Sequence, residues 1–174
     1  MRMFRTPLGL VSVTATARGL VRVVLPEGKR CQEPFSCKAL FTGSEQKRFL
    51  TPFSAEAEAI AARAQREIRE YLAGRRRRFT VPLDLSGLSP FHRRVLQAVR
   101  RIPYGRTVTY SDLARRVGRP LAARAVGRAM ARNPMPLVIP CHRVVAAGGG
   151  LGGYGGGLAL KRRLLALEGA CLME

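Results

Sequence analysis

The sequence predicts an α+β fold in two parts, a small N-terminal α/β domain followed by a mainly helical C-terminal one. Three observations predict it. Leu8 to Ala17 alternates apolar and polar residues, and after the turn at Arg18-Gly19 a β-branched run resumes from Leu20 to Leu25, which is the pattern of a hairpin. Ala57, Ile60, Ala61, Ala64, Ile68, Tyr71 and Leu72 then recur at helical spacing between a capping Ser54 and a terminating Gly74. From Ser89 onward, short helical runs alternate with turns built on Gly and Pro.

Taken in order, the hairpin is followed by Pro26 to Pro52, rich in Pro, Gly, Ser and charge, which reads as loop. The helix ending near Leu72 packs on the hairpin. Arg75 to Arg78, by its charge a solvated edge or else a DNA contact, leads into Phe79 to Leu83, an expected third strand that completes a domain over residues 1–83. Asp84 to Ser89 is the linker. A second domain, 89–174, opens with Ser89 and Pro90 as N-cap and first-turn proline of a helix Phe91 to Arg101. Pro103 and Gly105 make a turn, Val108 to Tyr110 is extended, and Ser111 caps Asp112 to Val117. Gly118-Arg119-Pro120 separates that helix from Leu121 to Arg132, a helix-turn-helix signature. The second helix, LAARAVGRAMAR, carries Arg124, Arg128 and Arg132 among small residues. Such a helix can pack closely on a core or approach a nucleic-acid backbone, and its periodicity leaves both open.

Charge bounds the partners. The chain has 31 Lys and Arg against 11 Asp and Glu, a formal +20, and the residues after position 90 hold 15 basic and 3 acidic side chains. A surface of this sign attracts polyanions, whether DNA or ribosomal RNA. No apolar run approaches the length of a membrane span, and no signal-peptide core follows Met1 to Arg5, which places the protein in the cytoplasm without a membrane partner. Four cysteines are too few for a disulfide scaffold in 174 residues. Cys31 and Cys37 lie six apart, which is not a zinc-knuckle spacing, so no metal is expected.

The chemistry concentrates in IPCHRVV, Ile139 to Val145, where a thiol and an imidazole sit side by side at the end of an apolar run. A thiol with pKa about 8.5 is only a few per cent thiolate at neutral pH, so a nucleophilic cysteine needs a base or a positive field. His142 and Arg143 could supply both, the imidazole reaching the sulfur of Cys141 through a turn or one bridging water. The loop AAGGGLGGYGGG, Ala146 to Gly157, follows, then a helix Leu158 to Leu167 and Glu168-Gly169. Gly150, Gly152 and Gly155 satisfy GxGxxG in form, but no βαβ alternation surrounds them, which argues against a dinucleotide site. The loop can instead close over a flat ligand, with Tyr154 as the ring available for stacking.

Three stretches, SPFHRRVLQAVRRIPYGRTVTYSDLA, AARAVGRAMARNPMPLVIPCHRVV and GGYGGGLALKRRLLALEG, closely resemble the O6-alkylguanine-DNA alkyltransferases, also called methylated-DNA–protein-cysteine methyltransferases. The opening TPLG and the hairpin are similar to that family's variable N-terminal domain, which the resemblance makes ribonuclease H-like. The resemblance implies a DNA repair protein that rotates an O6-alkylguanine out of duplex DNA and transfers the alkyl group to Cys141, once per molecule, with O4-alkylthymine as a further candidate substrate. It implies that His142, oriented by Glu168 and linked through water, draws the proton from Cys141; that Asn133 holds the turn carrying the cysteine; and that Tyr110 hydrogen-bonds the leaving guanine and helps rotate the nucleotide. It further implies that Arg124 fills the vacated stack, that Val144, Tyr154, Gly155 and Gly156 line the alkyl pocket, and that Phe91, Ser111 and Ala147 contact the DNA backbone. No cofactor is implied, and the protein is expected to be a monomer in solution that could assemble cooperatively on DNA. Gly155 stands where some relatives carry Ser or Ala, which implies a roomier pocket. A non-catalytic lesion-binding protein of the same fold is the rival reading; such relatives lack the cysteine that Cys141 supplies.

Overall fold

A computed structural model describes residues 1–26 and 54–170. The segment read as loop between Pro26 and Pro52 lies outside them from residue 27 on, as do Cys31, Cys37 and Cys171. Three antiparallel strands begin the chain: β1 (Arg2–Thr6), β2 (Gly9–Thr16) and β3 (Gly19–Val24), in that spatial order. The expected hairpin is β2–β3. Val11 and Val13 turn into the core as the alternation requires, and a bulge in the β2–β3 register, which breaks the alternation on β3, lets Leu20 and Val23 do the same. The first strand was not expected, because RMFRT is short and carries two arginines, yet it pairs from Arg2 with Val13 to Thr6 with Gly9 and buries Phe4.

Helix α1 (Ala55–Leu72) crosses the sheet. Ser54 caps it by accepting from the Ala57 N–H at 3.1 Å, and Ala61, Ala64, Ile68 and Tyr71 form its buried stripe. The expected strand at Phe79–Leu83 is not a strand. Only Leu83 bridges Leu20, through Leu20 N–H to the Pro82 carbonyl and Asp84 N–H to the Leu20 carbonyl. Pro82 has no N–H to offer a ladder. The segment is held to α1 instead, by the Glu67 carboxylate accepting from the Thr80 and Val81 N–H groups at 2.8 and 3.2 Å.

Helix α2 (Pro90–Arg100) begins at the N-cap Ser89 with proline in its first turn and buries Val95, Leu96 and Val99. The short strand β4 (Val108–Thr109) runs straight into α3 (Tyr110–Arg116). Here the expected cap is corrected. Thr109, not Ser111, caps α3 in a reciprocal pair with Asp112, and Ser111 lies exposed in the first turn. A turn through Gly118 joins α3 to α4 (Ala123–Ala131), which starts two residues later than its sequence suggests and leaves Leu121 fully exposed. Of the two readings of α4, packing on the core is seen in the burial of Val126, Ala129 and Met130, while Arg124, Arg128 and Arg132 are exposed on the other face. After a buried run that includes Met135, Leu137, Val138 and Ile139, the chain forms a 3-10 turn over Cys141–Arg143 and then β5 (Val144–Val145), which pairs in parallel with β4. Helix α5 (Leu158–Leu167) closes the described chain. One continuous apolar cluster joins strands, α1 and all the later helices, so the Cys141 turn rests on core from both halves.

Candidate active site

The turn carrying Cys141 is held from behind. Asn133 donates from Nδ2 to the Ile139 carbonyl at 2.9 Å and accepts from the Met135 N–H at 3.1 Å, which closes the loop that precedes the cysteine. Within that loop Leu137 adopts φ 71°, a left-handed conformation costly for a side chain with a Cβ and retained only where the surroundings impose it. Cys141 is buried and not in a disulfide, with its N–H donating to the Ile139 carbonyl at 2.8 Å.

His142 is wholly buried and turns to Glu168, the C-cap residue of α5, with Nε2 2.9 Å from Oε1. That carboxylate is the centre of the site. Its Oε1 also accepts from Tyr71 Oη at 2.5 Å and Arg143 Nη2 at 2.8 Å, and Oε2 accepts from Arg143 Nε at 2.8 Å and the Gly105 N–H at 3.2 Å. Gly105, at φ 70°, makes this approach possible, because a Cβ there would stand 2.9 Å from the Glu168 carbonyl. Burial pushes the Glu168 carboxyl up, but the hydrogen bonds from His142, Arg143 and Tyr71 outweigh it and hold the group at about 2. It is therefore ionised at neutral pH and can only accept. Burial lowers the pKa of His142, which keeps the ring neutral. A neutral ring facing an acceptor must place its proton on Nε2, which leaves the lone pair on Nδ1, a buried atom with no hydrogen-bond partner among the described residues.

The sequence offered Arg143 as a source of positive field for the thiol, and the structure corrects this. Its guanidinium is committed to Glu168 and to the Ile102 carbonyl, reached by Nη1 at 2.6 Å. A second buried cation, Lys161, has its pKa pulled upward by the charge of Cys141. Lys161 is fully buried on α5 and donates to the Val144 carbonyl at 2.6 Å and to the Leu151 carbonyl, tying the strand after the cysteine to the glycine-rich loop. Burial brings its pKa down to about 8 against the opposing pull of Cys141. Neither Lys161 nor Tyr71 was singled out from the sequence. Lys161 lies one heptad before Glu168, so the two share the buried stripe of α5 with Leu164 and Leu165, and that spacing was the available signal.

Tyr110, the first residue of α3, donates from Oη to the Gly153 carbonyl at 3.2 Å. Burial and the charge of Cys141 both raise its pKa. The glycine loop lies directly on its ring: a Cβ at Gly152, φ 64°, would sit 2.9 Å from Tyr110 Cε2. Val144 is buried beside the cysteine, Gly156 is buried, and Tyr154 and Gly155 are half-buried at the end of the same loop. Arg124, Ser111 and Ala147 are exposed at the starts of α4, α3 and a 3-10 turn, and Phe91 is half-buried at the start of α2. The structure thus gathers Cys141, His142, Glu168, Asn133, Tyr110 and the loop around one turn, with the exposed helix starts outside it.

Residues 90–170 match the DNA-binding domain of 6-O-methylguanine DNA methyltransferase. Over 170 residues the chain is 37% identical to a methylated-DNA–protein-cysteine methyltransferase of Methanosarcina acetivorans, covering 97% of both proteins. It is 39% identical over 160 residues to the inducible methylated-DNA–protein-cysteine methyltransferase of Bacillus subtilis, covering 90% of this chain and 82% of that one. The fold is similar to that of Mycobacterium tuberculosis OGT, solved in complex with DNA, at a TM-score of 0.76 and 34% identity over 97% of this chain and 91% of the other. Likeness of this extent in sequence and in fold shows that the chain belongs to the methylated-DNA–protein-cysteine methyltransferase family, enzymes of DNA alkyl repair.

Proposed function

We propose that this protein binds duplex DNA containing O6-alkylguanine and moves the alkyl group irreversibly to the sulfur of Cys141. The observation that carries the reading is the hydrogen bond between His142 Nε2 and Glu168, which fixes the proton on Nε2 and leaves Nδ1, on the residue next to Cys141, as the basic lone pair of the ring. Nδ1, directly or through one water, accepts the Cys141 proton. The thiolate attacks the saturated alkyl carbon, a C–S bond forms as the C–O6 bond breaks, and guanine leaves as an anion that takes a proton at a ring nitrogen. Tyr110, whose hydroxyl donates to the Gly153 carbonyl, serves as the donor to that nitrogen once it exchanges this carbonyl for the base. The thioether has no hydrolytic exit, so each molecule turns over once.

A lesion atom inside a stacked duplex is not open to in-line attack, so the nucleotide is extruded at a cost of about a few kcal/mol. Arg124 occupies the gap, and Val144, Tyr154, Gly155 and Gly156 receive the alkyl group and base. Phe91, Ser111 and Ala147 meet the backbone, where exposed helix starts favour phosphate. In this reading residues 89–174 carry DNA binding and chemistry as a domain with a helix-turn-helix formed by α3 and α4, and residues 1–83 support it as a second domain. The protein acts as a monomer in the cytoplasm. Among the described residues no helix is long and apolar enough to cross a membrane.

Peptide mass mapping after incubation with a duplex carrying O6-methylguanine tests the proposal. One methyl group per protein, on Cys141, is expected. Methylation at another residue, or many turnovers per molecule, would overturn it; a parallel duplex with O4-methylthymine sets the substrate range.

A further inference from the structure

The arginine run at 75–78, which the repair chemistry does not use, leads to a second site. A cleft of about 360 Å³ lies between the chain after α1 and the chain after α2, in the size range of ligand pockets. Five arginines line it, Arg77, Arg78, Arg100, Arg101 and Arg143, and no acidic side chain does. Their charges are not equally available. Arg143 is neutralised by Glu168, and Arg76, the neighbour that stays out of the cleft, is paired with Glu70 and Glu67. Arg77, Arg78, Arg100 and Arg101 make no ion pair among the described residues, and all four are exposed. Four uncompensated guanidiniums facing one concavity repel each other, a cost that a bound oxyanion would remove.

The aromatic wall narrows the ligand class. Tyr104 lines the same cleft, but the guanidiniums of Arg77 and Arg143 lie 5.6 and 5.7 Å from its ring centroid. The ring is thus occupied by cations and is not open for a nucleobase to stack. What remains for a ligand is a set of N–H forks, whose geometry matches phosphate oxygens. We propose that this cleft, which Pro140 and Arg143 line but Cys141 does not, binds a phosphate group, either of a nucleic-acid backbone outside the lesion-bearing segment or of a free polyphosphate.

The test uses the full chain, lesion-free ligands and no methyl transfer, so its outcome is independent of the Cys141 chemistry. Pyrophosphate is titrated calorimetrically into wild type, the double variant R78Q/R101Q, and the control R5Q/R66Q, which removes equal charge from exposed positions elsewhere. Neither Arg78 nor Arg101 makes a side-chain hydrogen bond among the described residues, so both double variants are expected to melt as wild type does. Binding at least about tenfold weaker in R78Q/R101Q, with the control unchanged, supports the cleft. No binding by wild type, or equal weakening in both variants, overturns it. Should R78Q/R101Q fold poorly, arginine Nε–Hε resonances of wild type decide: shifts confined to the cleft arginines on adding pyrophosphate support the site, and their absence overturns it. Affinity for an undamaged duplex, followed against salt, then identifies the source. A log–log slope about two units shallower in R78Q/R101Q than in the control marks a nucleic-acid backbone, and an unchanged duplex slope with lost pyrophosphate binding marks a free polyphosphate.

Discussion

Tyr71, in the last turn of α1, donates its hydroxyl proton to Oε1 of Glu168 at 2.5 Å, and the same Oη lies 3.3 Å from His142 Nε2. The first half of the chain therefore places a donor on the carboxylate that orients the imidazole. Burial, followed by the charge of Glu168, raises the Tyr71 pKa, so the phenol stays a proton donor throughout the accessible pH range. Tyr71→Phe is expected to cost about 1.5–3 kcal/mol of stability, the usual worth of a hydrogen bond to a charged group, and to slow transfer to Cys141 while leaving DNA affinity unchanged. Denaturant melts and single-turnover rates check this; a purely structural role would lower stability without altering the pH dependence of the rate.

Glu168→Gln tests the carboxylate itself. It replaces an acceptor of five hydrogen bonds with an amide that brings its own donors, and leaves the Arg143 guanidinium buried without a counter-charge. Breaking one partner out of a buried ion pair costs about 3–5 kcal/mol, so the variant should be markedly less stable by urea unfolding as well as slow in transfer. Stability equal to wild type would show that the cluster does not hold the two halves together.

The pH dependence of stability follows from the same cluster. Glu168 is held at about 2 in the fold against an ordinary 4.5, so the unfolded chain binds more protons in that window. Its contribution is complete above pH 4.5 and is lost as the pH falls toward 2, about 3 kcal/mol in all. His142, lowered from 6.5 by burial, adds to the loss below pH 6.5 because protonation favours the unfolded chain. Unfolding free energy measured from pH 8 to 3 should decline monotonically; a rise below pH 6 would contradict the neutral-ring assignment.

Lys161 predicts an upper limit on reactivity. Its ammonium, at about 8 rather than 10.5, is lost as the pH rises through that value, and with it the charge that interacts with Cys141. The transfer rate in wild type is expected to climb with thiolate fraction and then fall above about pH 8, whereas Lys161→Met should be slower at neutral pH and show no upper limb. A wild-type rate still rising at high pH would remove Lys161 from the reaction.

Gly152→Ala forces a Cβ to within 2.9 Å of the Tyr110 ring at a backbone φ of 64°. The left-handed backbone alone costs about 1 kcal/mol, a modest loss of melting temperature. The larger expected effect is displacement of the loop from Tyr110, seen as a transfer rate lowered by tenfold or more with duplex affinity retained.

Arg124→Ala separates extrusion from chemistry. The side chain is exposed near the start of α4 and touches nothing that holds the fold among the described residues. Its loss should slow repair in duplex far more than attack on free O6-methylguanine; equal losses on both substrates would deny it a place in the base stack.

What the linear sequence determined was local. Alternation placed β2 and β3, helical periodicity placed α1, and Ser54, Ser89 and the Gly118 turn punctuated the helices, because these signals depend on neighbours a few residues away. The pairing of Cys141 with His142 was legible for the same reason, and the roles of Glu168 and Tyr110 came only through resemblance. Tertiary structure decided the rest. Phe79 to Leu83 has strand-forming residues, but the proline at 82 and the Glu67 carboxylate, distant in sequence, hold it as a single bridge. Arg143 and Lys161 look alike as basic residues near a cysteine, and only the packing of α5 turns one to Glu168 and the other to the carbonyls of Val144 and Leu151. The Tyr71–Glu168 bond joins residues 97 positions apart. No local pattern can encode such a contact, because its energy arises only when the core has brought both groups out of water.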